Sequence, residues 1–410
     1  MNVAAPTSQP KRKLPPPTAE ERANDLERRR ELGQFFTPAN VAGFMWDLLE
    51  IIHGGKFPTN TRLIDPACGD GVFLRVADER GRLPARCLFG ADIDETLAPG
   101  WRRDPLLGGA NVHLANGLVD APALGVREGT FDIVAGNPPF SGKGLRELLR
   151  LLDDDGAAER HDEQDLFGAV CLKEEPAARR QPLTRQARAE LDRLARALSQ
   201  YSCWRLNATP DGGEEPDDES GNSSTDLFGG LALNDRPRPT ASDLERTALL
   251  ITRWPADRLL DVSRPEIRDV IERLASTAIE VFFTERFLRL AKPGGLIAVI
   301  VPESIVASDR MSPLRHWLME QMNLLAGVSL PQKVFTGVGA NAKTTILFAR
   351  RLRRPRPEGW WLDDAKDRSH ADRGVILTAP HLDSPMWSLE NYLADVLDGA
   401  RKHNFGPADQ

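Results

Sequence analysis

The 410-residue chain is 41% hydrophobic and 28% charged, an ordinary composition for a globular protein with a sizeable core, and roughly 150 residues per domain suggests two or three domains. A net charge of −7 at pH 7 means that the whole-molecule field does not advertise a nucleic-acid binder. No window reaches the roughly 18 consecutive apolar residues of a membrane span, and MNVAAPTSQPKRKLPPPTAE has no apolar run behind its basic cluster, so it is not a secretory signal.

In chain order, the proline-rich residues 1–17 read as a disordered tail and Thr18–Leu32 as a short charged helix. After GQFFTP, apolar residues at Val41, Phe44, Met45, Leu48, Leu49 and Ile52 keep helical spacing up to a Gly-Gly stop. TRLIDPACGDGVFL reads as strand, tight turn and helix. CLFGADID, ANVHLANG and FDIVAGNPPF supply three further strand candidates. Strands alternating with helices indicate a parallel sheet. From about Ser141 to Arg264 charged helical segments alternate with turn-rich sequence, and residues 206–235 carry eight acids and no Lys or Arg. The spacing then predicts one or two long helices up to AKPGG, a buried strand LIAVIVPES, a helix SPLRHWLMEQM, a strand LLAGVSL and a last strand TTILFAR. RRLRRPR (350–356) packs five arginines ahead of a weakly patterned C-terminus. The domain reading is a catalytic α/β unit of residues 18–140 and 265–350, an insertion at 141–264 with a flexible acidic loop, and an extension at 351–410.

Two constellations carry chemistry. In the first, Asp65, Pro66, Ala67, Cys68, Gly69 and Gly71 form a sharp turn between a strand and a helix N-terminus, whose free N–H donors suit a carboxylate or phosphate. The spacing is not G-x-G-x-x-G. About 20 residues on, Asp92 ends the next strand, where an acid suits two ribose hydroxyls. Turn and acid together favour a nucleoside cofactor. In the second, Asn137-Pro138-Pro139-Phe140 follows a buried strand. The prolines stiffen the backbone and remove competing donors. The Asn137 side-chain oxygen and the Pro138 carbonyl can accept both hydrogens of one planar amino group, turning its lone pair toward an electrophile. Phe140 offers a face to an aromatic ring.

The ordered set GQFFTP, DPACGDG, GADID, NPPF, AKPGG–strand–VPES and LPQKVF resembles the gamma class of DNA adenine-N6 methyltransferases. GQFFTP and the LLAGVSLPQKVFTGVGANAKTTILFAR block look most like modification subunits of type I restriction-modification systems and related phage-defence methylases. The resemblance covers about residues 31–140 and 275–350. It implies a Rossmann-like S-adenosylmethionine-dependent fold, a mostly parallel sheet flanked by helices, carrying the insertion. By the same resemblance Thr37, Pro38 and the turn from Asp65 to Gly71 hold the cofactor's methionine half. Asp92 binds its ribose, Ile93 packs on its adenine, and Asn137 lies beside it. Asn116 stands where the family usually has Asp; Asn accepts the same bond without charge. Phe335 aligns with an aromatic that packs on the flipped base. The implied partners are double-stranded DNA and a separate specificity or other defence-system subunit, because only about sixty residues follow the last strand and the acidic insertion lacks the Lys and Arg that phosphates need. Four cysteines (Cys68, Cys87, Cys171, Cys203) form no C-x-x-C pair and the histidines form no ligand set, so neither a disulfide scaffold nor a metal is expected, and a reducing cytoplasm is the natural compartment. RNA adenine methylation, protein glutamine methylation and a non-catalytic subunit of a defence complex are the alternative readings.

Overall fold

The computed structural model describes residues 36–140, 145–153, 183–206, 240–335, 343–357, 360, 376–380, 388–403 and 405. The expected N-terminal tail, the charged helix Thr18–Leu32 and nearly all of the acidic stretch lie outside those residues. The first half comprises α1 (Ala39–His53), β1 (Leu63–Asp65), α2 (Val72–Glu79), β2 (Leu88–Asp92), β3 (Asn111–Leu114) and β4 (Phe131–Gly136). Helices α3 (Arg185–Ser199), α4 (Ala241–Thr252), α5 (Pro265–Ser276) and α6 (Ile279–Leu290) follow. Then come β5 (Ala291–Pro302), α7 (Ser312–Gln321), β6 (Met322–Leu330), β7 (Thr344–Arg351), β8 (Ile376–Thr378) and α8 (Leu389–Lys402).

The strands form one sheet in the order β3-β2-β1-β4-β5-β7-β6-β8. Strands β3 to β5 are mutually parallel, β7 runs antiparallel to both β5 and β6, and β8 is parallel to β6. This is the expected mostly parallel α/β sheet with helices on both faces. Side-chain alternation builds the two faces. Along β5, Leu296, Ala298 and Ile300 face the cluster that holds α1, whereas Ile297, Val299 and Val301 face the cluster that holds α5 and α6. The apolar positions expected on α1 are all buried in the first of these, and the helix stops at Gly54 in the left-handed region.

Three features differ from the sequence reading. The AKPGG segment does not merely stop a helix: Ala291 already pairs with Phe131, and a bulge precedes the Ile133–Leu296 pair. TTILFAR is not the last strand, since β8 pairs with β6 from Ala326 to Val328. Beyond Arg350, α8 buries Leu393, Val396 and Ala400 in the same cluster as α1, so the weakly patterned C-terminus contributes to the core.

The described parts of 141–264 pack on the α5/α6 face. Leu148, Leu198, Trp204, Leu244, Ile251 and Leu260 share one cluster with sheet residues Val134 and Val299. Helix α3 is tied down by Asp192, which is 6% exposed, accepts the Leu260 N–H at 2.6 Å and binds Arg196 at 2.6 Å. Asp192→Ala strands a buried N–H and frees Arg196, so it is expected to cost about 1–3 kcal/mol, read as a lower denaturation midpoint at unchanged slope.

Candidate active site

The order of the sheet reverses direction beside β1: β2 lies on one side and β4 on the other. Such a switch opens a crevice at the carboxyl ends of the strands. Asp65 closes β1, Asp92 closes β2, Asn116 lies two residues past β3, and Asn137 follows β4 directly. Residues more than seventy positions apart in sequence therefore face one cavity, with about 970 Å³ of empty space including its open mouth.

Asp65 is fully buried. Its Oδ1 accepts the Ala67 N–H at 3.0 Å, while its Oδ2 is buried with no hydrogen-bond partner among the described residues. A Cβ on Gly136 would lie 2.4 Å from Oδ1, so only glycine lets β4 run this close to the carboxyl. Burial pushes the Asp65 carboxyl well above the usual carboxylate range, and the negative charges of Asp92 and Asp70 push the same way.

The turn that follows is fixed by its own donors. The Gly69 N–H donates to Asp92 Oδ2 at 2.9 Å, Gly71 N–H to the Cys68 carbonyl at 2.8 Å and Val72 N–H to Asp70 Oδ1 at 3.2 Å. Gly71 adopts φ +89°, and a Cβ there would meet Leu107 at 2.7 Å. These bonds take three of the N–H groups that the sequence offers to an anion. The Gly69, Gly71 and Val72 donors are used inside the turn, and the carboxyls of Asp65, Asp70 and Asp92 stand around it. A phosphate meets acids there; a cation or a hydroxyl meets acceptors.

Asp92 accepts a second N–H, from Asp94 at 2.9 Å, and burial raises its carboxyl too. Cys68 packs under β2, where a Cβ on Gly90 would come 2.9 Å from its sulfur, and burial pushes its thiol well up. Asn116 Oδ1 accepts the Leu118 N–H at 3.0 Å, which folds the chain past β3 into a tight turn.

Of the residues singled out in the sequence, Thr37, Asp65, Pro66, Ala67, Cys68 and Gly69 line the cavity, as do Asp92, Ile93, Asn116, Asn137 and Pro139. Pro38, Gly71, Pro138, Phe140 and Phe335 do not. Pro38 caps α1, taking the N–H groups of Val41 and Ala42 on its carbonyl. Phe140 is 1% exposed and Phe335 fully buried, the latter among the core residues packed with α1, so neither ring presents an open face. Sequence reasoning missed Phe36, whose ring overlies Gly69, and the apolar wall of Leu145, Leu194, Ile279 and Phe283. Ile279 and Phe283 are one helical turn apart, a spacing that reads as ordinary core. Among the described residues no group of His, Cys, Asp and Glu is placed to hold a metal, and no helix is long and apolar enough to cross a membrane.

A family model described as N-6 DNA Methylase matches residues 22–164 and 263–391, together well over half of the chain. Type II methyltransferase M.TthHB8I of Thermus thermophilus is similar, with 33% identity over 113 residues, 27% of this chain and 22% of that protein. The match thus spans less than a quarter of this relative's length. Among solved structures, a type I restriction-modification methyltransferase subunit from Streptococcus thermophilus is 15% identical, with 90% of this chain and 53% of that one covered at a TM-score of 0.40. The type I restriction enzyme EcoKI M protein is 15% identical, with 80% and 46% covered at 0.38.

A carboxyl whose folded-state pKa is raised above its unfolded value favours the fold while protonated, and that stability is lost as pH rises through the folded pKa. Asp65 is such a group. Asp65→Asn is therefore expected to raise the thermal midpoint of the ligand-free protein, and to do so more in mildly alkaline than in acidic buffer, by scanning calorimetry across pH.

Proposed function

The chain belongs to the N-6 DNA methylase family, and from that premise we propose that it transfers a methyl group from S-adenosylmethionine to N6 of an adenine turned out of double-stranded DNA. The observation that carries this reading is that Asn137, at the end of β4, opens onto the same cavity as the buried Asp65 and the strand-end Asp92. The cavity suits the cofactor on its own chemistry. The buried Asp65 Oδ2, without a partner among the described residues, lies where a cationic ligand compensates it. Asp92 keeps acceptor capacity for ribose hydroxyls beside the half-exposed Ile93, and the apolar wall provides a surface for a purine.

When bound, S-adenosylmethionine supplies an electrophilic methyl group on a sulfonium. The protein's part is to hold the target nitrogen. The Asn137 side-chain oxygen and the Pro138 carbonyl accept the two hydrogens of the adenine amino group, drawing them out of the ring plane and leaving the nitrogen lone pair directed at the cavity. Asp65 and the turn orient the cofactor's charged end, and Thr37 and Phe36 close over it. Most of the acceleration then comes from positioning two reactants, since direct transfer needs no covalent enzyme intermediate. Extruding the base costs a few kcal/mol. Stacking by Phe140 and Phe335 requires both rings to leave the enclosures they occupy here, a rearrangement of the kind regulatory and catalytic loops undergo on binding. The chain works in the cytoplasm with a specificity or other defence-system subunit that reads the DNA sequence.

The test is transfer of tritiated methyl from S-adenosylmethionine to adenine-unmethylated DNA, with the product identified as N6-methyladenine. Asn137→Ala is expected to lower turnover by about 100-fold or more while cofactor binding persists. Label appearing only on RNA or on protein glutamine, or turnover unaffected by Asn137→Ala, contradicts the proposal.

A further inference from the structure

The loop that follows β3 carries Asn116, and its backbone carbonyls are held from below by side chains far away in sequence. The Gly117 carbonyl accepts from Arg286 Nε at 2.8 Å, the Leu118 carbonyl from the Tyr201 hydroxyl at 2.7 Å and the Asp120 carbonyl from Arg193 at 3.2 Å. Two of these three donors, Arg193 and Tyr201, belong to α3 and the turn after it. That turn is itself clamped to α6: the Ser202 and Cys203 N–H groups donate to Glu285 at 2.9 and 2.8 Å, and Glu285 pairs with Arg289 at 3.2 Å. Arg289 lies over the Tyr201 ring, 4.7 Å from its centroid. Tyr201 is 1% exposed, so its hydroxyl bonds Leu118 out of reach of water. About two helical turns before this clamp, Leu194 lines the cavity.

We propose that α3 and the turn after it form a wall of the cofactor cavity, in which Leu194 touches the bound S-adenosylmethionine while Arg193 and Tyr201 act as positioning residues that hold the Asn116 loop. This segment lies between the two stretches matched by the family model, at 22–164 and 263–391. The insertion is thus a cofactor-reading element, and cofactor binding and the order of α3 are coupled. The inference rests on the cofactor reading given under Proposed function.

Hydrogen exchange of the full chain with and without S-adenosylmethionine tests it. Amides of 185–206 and of 116–120 are expected to slow together with those of the turn at 65–71. Slowing at 65–71 and 92–94 with 185–206 unchanged overturns the wall while leaving the cofactor reading intact. No slowing anywhere overturns both. As a second measurement, Tyr201→Phe deletes one hydroxyl and leaves a buried carbonyl unpaired, so KM for the cofactor is expected to rise about tenfold with kcat at saturation nearly unchanged. Leu194→Ala is expected to raise the same KM. A variant that loses thermal stability and kcat at an unaltered cofactor KM marks a merely structural role and overturns the assignment.

Discussion

A carboxyl group buried at the end of β1, with one oxygen that has no partner among the described residues, is the constraint around which this cavity is organised. Asp65 cannot ionise cheaply where it stands, because water is excluded and the nearest charges, Asp92 and Asp70, are of its own sign. The surrounding chain does little to relieve it. Gly136 leaves no room for a side chain beside the carboxyl, and the Gly69, Val72 and Gly71 N–H groups of the turn are committed to Asp92, Asp70 and the Cys68 carbonyl. A protein interior keeps such an arrangement at a cost in stability, and a cationic ligand removes the cost.

The rest follows from sheet order. Because β1 lies between β2 and β4, residues at the ends of β1, β2 and β4 and in the loop after β3 line one cavity. The acids come from the first two, Asn116 from the third and Asn137 from the fourth. The wall opposite is built differently, from helices α3 and α6 packed on one face. Its polar clamp through Glu285, Arg289 and Tyr201 joins sequence regions about eighty residues apart. The strand ends thus share the cavity with a helical wall held by apolar packing and by a few buried hydrogen bonds.

Much of this was legible in the chain itself. The short apolar runs LID, LFGA and FDIVAG announce buried parallel strands, and the glycine and proline clusters behind them mark where each strand gives way to the site. Most of the strand-end and turn residues that line the cavity are therefore among those the sequence pattern picks out. What escaped has physical reasons. The Gly69 and Val72 N–H groups look free in sequence, because nothing there shows that Asp92 and Asp70 will fold back to accept them. Leu194, Ile279 and Phe283 carry no chemical mark, and their helical spacing is that of any core. Phe140 and Phe335 are correct in type for stacking, yet their burial depends on packing that only three dimensions reveal. Strand β8 is three residues long, too short for alternation to register.

The most direct test of the account is calorimetric titration of the chain with S-adenosylmethionine in two buffers of different ionisation enthalpy, which counts protons exchanged on binding. A cation placed against Asp65 lowers its raised pKa, so binding is predicted to release protons at pH values where the free carboxyl is partly protonated, with affinity falling as pH falls. Asp65→Asn is predicted to abolish that release and weaken binding. Equal proton counts and equal affinity in the two proteins would contradict the assignment of Asp65 as the cofactor's counter-charge.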